Sequence, residues 1–236
     1  MASLRFMGNW SSNITASKRN ISLLLDGSIA MDFGPHSIES LLEMRVDPCA
    51  IDTIFISHMH LDHYAGLPEL LWYRAIHQCR EPVHIVGPRG IGNNTKSLLE
   101  LLHTPEAFEI FAEYHEEKYD NATGFVANHL IRDIGFRLEI GGKVLFYSGD
   151  TSYSENVSKG AEKADVLLHE MTYLDSDRQW ADFWKHSTVS DALRVFSESG
   201  SKILVPVHLT SKTERYLNET MEKDSRIRVP QGHIEL

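Results

Sequence analysis

Cysteine is scarce in this chain: only Cys49 and Cys79 occur in 236 residues. They stand in no metal or redox spacing, which excludes a disulfide-framework mini-protein and a cysteine-ligated zinc module. Both are expected to be ordinary thiols, as in a reducing cytoplasm. Long apolar runs are absent too, and nothing approaches the roughly 20 residues needed to cross a bilayer, so no membrane partner is expected. Met1 to Trp10 lacks a continuous apolar core and runs into Ser11, Ser12 and Asn13, unlike a signal peptide. Basic charge is thin, with 23 Lys and Arg against 33 Asp and Glu and a net charge of −10. The longest basic cluster is Lys18-Arg19, outweighed by the acidic run Glu113 to Asp120. A structured RNA draws much of its affinity from phosphate contacts, so this balance disfavours a nucleic-acid partner. Arg74, Arg80 and Arg89 are the residues that could still gather into a local basic groove. No repeat, low-complexity segment or linker divides the sequence, and residues 1–236 are expected to form one domain around a sizeable core.

What the chain does hold is a dense group of donors, Ser57-His58-Met59-His60-Leu61-Asp62-His63, directly after the apolar run Ile51 to Ile56. The run reads as a buried strand. In an extended chain, residues i and i+2 point the same way, so His58 and His60 can hold one ion together. Asp62 and His63 follow once the chain turns, and face a second position close by. Imidazole with carboxylate suits zinc, and also manganese, iron or cobalt. The alternative is a chance surface cluster in a chain with thirteen histidines. Strand, spacing and the aspartate together favour metal.

This pattern resembles the HxHxDH signature of the metallo-β-lactamase superfamily. The resemblance implies three further ligands: His129 after Phe125-Val126-Ala127-Asn128, Asp150 after the apolar strand Lys143 to Tyr147, and His208 after Ile203 to Val207. It implies one divalent ion on His58, His60 and His129, a second on Asp62, His63 and His208, and Asp150 between them. It also implies an αββα sandwich of α+β class, two sheets packed face to face with helices outside, and a hydroxide between the ions as nucleophile.

The resemblance narrows to the ribonuclease Z-like branch through His169-Glu170-Met171-Thr172, His186-Ser187-Thr188 and the Gly135-Phe136-Arg137 that follows His129. Arg19-Asn20, Asp32-Phe33-Gly34, Gly66-Leu67-Pro68 and Gly87-Pro88-Arg89-Gly90 agree, so it covers nearly the whole chain. Departures are the opening Met7-Gly8-Asn9-Trp10, where the branch is richer in glycine, and Asp32-Phe33-Gly34-Pro35, where it carries Asp-Cys-Gly-Glu. The tRNA-clamping arm of that branch lies between the third histidine and the bridging aspartate. Here His129 and Asp150 are separated only by two short strands around Gly141-Gly142, which leaves no room for an arm.

By the same resemblance, His186 is the acid that protonates the leaving alkoxide, and Glu170 orients it and holds its charge. Asp62 counts with the catalytic residues as well as the ligands. Against these roles, Ser187 or Thr188 could be a helix N-cap with His186 merely at the entry, and Glu170 a solvent-facing charge. His169 is expected to be structural. His36, His77, His84, His103, His115 and His233 lie in no ligand spacing and are not expected to be metal ligands. Trp72, Tyr73, Trp180 and Trp184 are read as packing, and Gly87 to Gly92 is no P-loop, since no Gly-Lys-Ser/Thr follows.

The favoured activity is a phosphodiesterase of ribonuclease Z-like type acting on a small or unstructured diester, with two divalent ions, zinc first and manganese or iron next. The rivals are a lactonase, thioesterase, β-lactamase or other carbonyl hydrolase, and a tRNA 3′-processing endonuclease, since one scaffold hosts many reactions. A non-catalytic metal-stabilised binding protein is disfavoured, because seven ligands for two ions leave positions open for water. A homodimer is expected by analogy only.

Elements are expected at Leu4–Gly8, Ile21–Leu25, Ser28–Phe33, Val83–Val86, Phe108–Tyr114, Gly124–Leu130, Gly135–Ile140, Lys143–Tyr147, Val166–His169, Ile203–Val207 and Arg226–Val229 as strands. Helices are expected at Ser37–Met44 (capped by Ser37), Tyr64–His77, Asn94–His103, Asn156–Lys163, Val189–Ser199 and Glu214–Lys223.

Overall fold

In the parallel parts of the chain the strands read as nearly unbroken apolar runs, such as Val166-Leu167-Leu168 and Ile203-Leu204-Val205, which suits burial on both faces. The computed structural model, which describes residues 3–221, 224–230 and 232–235, places them so. Among these residues, one sheet of seven strands has the order β13-β1-β2-β3-β4-β5-β6. Its members are β1 (Ser3–Gly8), β2 (Ser22–Leu25), β3 (Ile29–Met31), β4 (Thr53–Phe55), β5 (Val83–Gly87), β6 (Ala112–Glu116) and β13 (His233–Glu235). The second sheet has the order β12-β11-β10-β9-β8-β7. It is built from β7 (Lys118–Tyr119), β8 (Ala122–Val126), β9 (Ile134–Ile140), β10 (Lys143–Tyr147), β11 (Val166–Glu170) and β12 (Ile203–Val207).

Leu4, Leu23, Leu25, Met31 and Phe55 from the first sheet meet Phe136, Leu138, Tyr147, Leu168 and Val205 from the second in one buried layer. Each such side chain contributes roughly 1.5–3 kcal/mol when fully removed from water. The outer face of the first sheet is covered by α1 (Ser37–Glu43), α3 (Leu67–Ile76) and α4 (Ile91–Leu101), and that of the second by α5 (Glu155–Gly160) and α7 (Val189–Ser199). The layers are therefore helix, sheet, sheet, helix, as expected. The remaining helices are α2 (Leu61–Tyr64), α6 (Arg178–Trp184) and α8 (Ser211–Tyr216). No helix among the described residues is long and apolar enough to cross a membrane.

Several local expectations need correcting. Ser37 does not cap α1; its hydroxyl donates to the Gly34 carbonyl, and His36 occupies the cap position in left-handed geometry. The helix expected over Tyr64–His77 is two, α2 and α3, broken at Ala65-Gly66. At the break the Gly66 N–H leaves the helical ladder and donates to the Phe33 carbonyl at 2.9 Å, an approach that needs glycine because a Cβ there would lie 2.2 Å from the Gly34 carbonyl oxygen. β6 starts later than Phe108, α4 starts earlier than Asn94, and β8 stops at Val126, which leaves His129 in a loop. Residues 226–229 form only a bridge, Ile227 to Leu204. The Glu214–Lys223 helix begins at Ser211 and passes into a wider turn over Leu217–Met221; its expected end, Lys223, lies outside the described residues, as does Met1.

Arg74 cannot join a basic groove. It is buried, and its guanidinium donates to the carbonyls of Cys49 and Ile51 at 2.9 and 3.0 Å. Cys49 and Cys79 are joined by a disulfide across Cα atoms 5.7 Å apart. The expectation of two free thiols is thus corrected, and with it goes the support they lent to a reducing compartment.

Candidate metal centre

The strand ends converge on one cleft of about 600 Å³ at the edge of the two sheets. His58 and His60 follow β4, and His60 is still extended (φ −69°, ψ 153°) before α2 begins at Leu61. The chain turns there, which places Asp62 and His63 on α2. His129 comes from the loop after β8, Asp150 from the turn after β10, and His208 from the end of β12. Ligands at the carboxyl ends of adjacent strands are the general placement for a site in such sheets.

All seven expected ligands come together. His60 Nδ1 lies 2.8 Å from His58 Nε2 and 3.3 Å from His129 Nε2. Asp62 Oδ2 lies 3.4 Å from His208 Nε2 and 3.7 Å from His63 Nε2. Asp150 Oδ2 stands between the groups, 3.3 Å from His63 Nε2, 3.5 Å from His208 Nε2 and 3.8 Å from His58 Nε2. A tetrahedral ion with bonds of about 2.0–2.1 Å separates its nitrogen ligands by about 3.3 Å. Two buried atoms here, His63 Nε2 and Asp150 Oδ1, have no hydrogen-bond partner. Leaving such a group unpaired costs about 1–3 kcal/mol, and a divalent cation is the partner that this donor set fits.

The electrostatics agree. Burial, helped by His63, pushes His58 down to about 3; burial with His58 and His129 pushes His60 to about 4. Both imidazoles therefore keep a lone pair free at neutral pH. Burial opposes charge on Asp150, but His208, His63 and His186 hold its carboxyl well below the usual range. Asp62 is likewise lowered against its burial, by the hydrogen bond from His208 and by His63. At His63, burial is outweighed by Asp150 and Asp32, which favour a cation there; a proton and a metal ion compete for that place.

The residues that aim the ligands are ones the sequence did not single out. Asp133, fully buried, accepts from His58 Nδ1 at 2.8 Å and from the Asp150 backbone N–H at 3.0 Å. On Asp32 four donors converge: His63 Nδ1 (2.7 Å), the Ser57 N–H (2.7 Å), the Ser57 hydroxyl (2.9 Å) and the Tyr147 hydroxyl (2.5 Å). His129 Nδ1 donates to the Lys185 carbonyl, and His208 Nδ1 to the Thr172 hydroxyl. Each of these four rings thus has its far nitrogen taken, which fixes the tautomer that presents Nε2 to the cleft. Ser12 donates to Asp62 Oδ2 at 2.7 Å. Asp32, Ser57 and Thr172 stood within phrases of the sequence but without a role there; a buried acid such as Asp133 has no spacing to betray it.

Gly149 sets the turn that delivers Asp150. Its φ is +60°, and a Cβ there would lie 2.2 Å from Asp133 Oδ1 and 2.9 Å from the Ser57 Cβ. Gly149→Ala is expected to cost about 1–2 kcal/mol from the left-handed backbone and about 1–3 kcal/mol from overpacking. Metal content should fall along with the melting temperature. Unchanged metal content would show that the turn does not aim the carboxylate.

Glu170, at the end of β11, is fully buried rather than solvent-facing. It accepts the Thr151 N–H at 2.7 Å, the Thr172 hydroxyl at 2.6 Å and His186 Nδ1 at 2.9 Å. Burial works against charge on His186, but Glu170 and Asp150 prevail and raise it to about 9. The ring lines the cleft with Nδ1 3.8 Å from Asp150 Oδ2, and the N-cap of α7 is Thr188, which closes a capping box with Asp191. His169 is buried, with Nδ1 on the Glu170 carbonyl, and lies outside the ligand groups. Trp72 packs as expected, with Nε1 donating to Thr104 and its ring edge-on to Phe108. Trp180 and Trp184 do not, being 51% and 45% exposed, and Trp184 lines the cleft. None of the lining residues among those described is Lys or Arg.

The β9–β10 hairpin turns at Gly141 and Gly142, with φ 56° and 73°, so the compact connection between His129 and Asp150 is as expected.

Comparison with known proteins agrees with this architecture. A family described as the beta-lactamase superfamily domain matches residues 30–209. The ribonuclease Z of Staphylococcus carnosus is 29% identical, with 77% of this chain and 78% of that protein aligned over 239 positions. Several tens of its positions therefore have no counterpart here. Human tRNase Z, short form, superposes with a TM-score of 0.82 at 22% identity, covering 99% of this chain and 98% of that one. YhfI of Bacillus subtilis, a metallo-beta-lactamase fold protein, also superposes with a TM-score of 0.82, at 17% identity and with 100% of both chains covered. The chain belongs to the beta-lactamase superfamily, as a ribonuclease Z-like member of its metallo-β-lactamase fold.

Proposed function

We propose that this protein is a binuclear metal-dependent phosphodiesterase acting on a small or unstructured diester. The observation that carries the reading is the Glu170–His186 pair, 2.9 Å apart, set beside Asp150 in the cleft. His58, His60 and His129 would hold one ion, Asp62, His63 and His208 the other, and Asp150 would be shared. Bound there, two divalent ions supply a water-derived nucleophile at neutral pH and neutralise charge on the phosphoryl oxygens.

The chain's own residues do the rest. His186, kept cationic by Glu170, gives its proton to the leaving oxygen as the phosphorus–oxygen bond breaks, and recovers one from water. Its Nδ1 is held by Glu170, and Nε2 has no partner among the described residues, which suits it as the donor. Lactone opening keeps its alkoxide tethered and has less need of a dedicated acid. The cleft wall of Leu61, Leu130, Tyr173 and Trp184, without Lys or Arg, favours a substrate with one phosphate charge and an apolar or flat aromatic group. The relatives named ribonuclease Z and tRNase Z supply the rival, an RNA substrate. The tight β9–β10 hairpin and the net charge of −10 weigh against a precursor tRNA. Zinc as the ion, from the imidazole and carboxylate donors, and a homodimer and a cytoplasmic location, by analogy with the relatives, complete the reading; the Cys49–Cys79 disulfide weighs against the last.

The test is turnover of an aryl phosphodiester, a lactone, a thioester and a tRNA 3′ trailer by one metal-loaded preparation. The diester should be turned over well, and the trailer weakly and with strong salt sensitivity. Preference for the lactone or thioester would make the protein a carbonyl hydrolase. Accurate trailer removal at physiological salt would give first place to the ribonuclease.

A further inference from the structure

Far from any ligand spacing in the sequence, the parallel pairing of β5 with β6 sets His84 beside Glu113 and Val86 beside His115. Glu113 and His115 are two apart on one strand, so their side chains share a face, and His84 meets both across the register. His84 Nδ1 lies 3.2 Å from His115 Nε2 and 3.4 Å from Glu113 Oε2. Tyr119, on β7 of the other sheet, stacks on both imidazoles, with centroids 4.6 Å from His84 and 4.1 Å from His115.

One nitrogen serves both contacts. As hydrogen bonds these can only be shared, with one His84 N–H divided between His115 Nε2 at 3.2 Å and Glu113 Oε2 at 3.4 Å, both long for a direct bond. A cation in the middle would instead take a lone pair from each of the three atoms, which all lie within 4.8 Å of one another. The two spacings from His84 are close to the ligand edge of about 3.3 Å around a tetrahedral zinc. We propose that His84, Glu113 and His115 form a separate surface site for a divalent ion of the zinc, nickel or copper type. Burial and the neighbouring His84 lower the pKa of His115, which keeps its lone pair available at neutral pH. Glu113 is more than half exposed, so water completes the coordination. The site shares no residue with the cleft and ties the edge of the first sheet where Tyr119 of the second packs against it.

The experiment is a zinc titration of the full chain against a chromophoric chelator, after its two cleft ions are loaded, with total metal measured by mass spectrometry. A third equivalent should bind to the wild type. His115→Ala and Glu113→Gln should each weaken it at least about tenfold, the lower end of what loss of even an outer partner costs a metal site. Both variants should keep the wild-type melting temperature in chelator and the wild-type phosphodiester turnover. Copper bound at this site should show nitrogen couplings from two imidazoles, reduced to one in His115→Ala. If the cleft fails to load, the His115→Ala and Glu113→Gln differences still report on this site alone. Saturation at two equivalents in the wild type, or a third equivalent untouched by both substitutions, would overturn the proposal.

Discussion

Asp150→Ala is expected to abolish hydrolysis of an aryl phosphodiester and to lower metal content more than any other single substitution. The expectation follows from position: Asp150 Oδ2 lies 3.3–3.8 Å from ring nitrogens of both ligand groups. Two dications about 4 Å apart repel by on the order of 15 kcal/mol at an effective dielectric of 20. Anionic charge between them must offset this before both can stay. His63 Nε2 would also lose the carboxylate that stands between it and His58 Nε2, leaving Asp62 alone beside it. Metal analysis together with the rate decides the point. A variant that retains two ions and a near wild-type rate would remove Asp150 from its assigned place.

His186→Ala is expected to slow diesters with poor alkoxide leaving groups by about 10²- to 10⁴-fold and to affect nitrophenolate esters little. The nitrophenolate leaves without a proton, whereas the alkoxide needs one. pH separates this from a merely structural role. With its pKa raised to about 9, His186 is protonated at neutral pH and loses its proton as the pH climbs through that value. Turnover of the poor leaving group should therefore fall on the alkaline side in the wild type, and this limb should be missing from His186→Ala. Equal losses on both substrate classes with an unchanged pH profile would make His186 a packing residue.

How much of this was legible in the sequence depended on whether a residue's role was written in local order. His58, His60, Asp62 and His63 were legible because a strand followed by a turn gives a fixed spacing. His129, Asp150 and His208 were found through resemblance, each close after a strand. Asp133 was not legible: it becomes a partner of His58 only when the β8–β9 loop is laid beside β4, a contact across 75 positions of sequence. The meeting of His84 with His115 had the same origin, as a register between strands with a helix between them. Helix ends went wrong where tertiary contact overrode propensity, as at Gly66 against Gly34 and at His36 in place of Ser37. α6 was missed because, apart from Ala181, its residues are not buried, so it has little of the apolar periodicity that marks a helix.

The closed space at Gly149 bears on how members of such a family are recognised. Recognition by letters scores the side chains that would touch an ion, and every one of them can persist in a sequence whose site no longer assembles. A single added methyl at residue 149 would leave the HxHxDH phrase, His129, Asp150 and His208 untouched on paper, yet push the carboxylate off the place where the two halves of the molecule meet. A decayed copy of this protein would therefore be betrayed less by its missing histidines than by a side chain where there should be none.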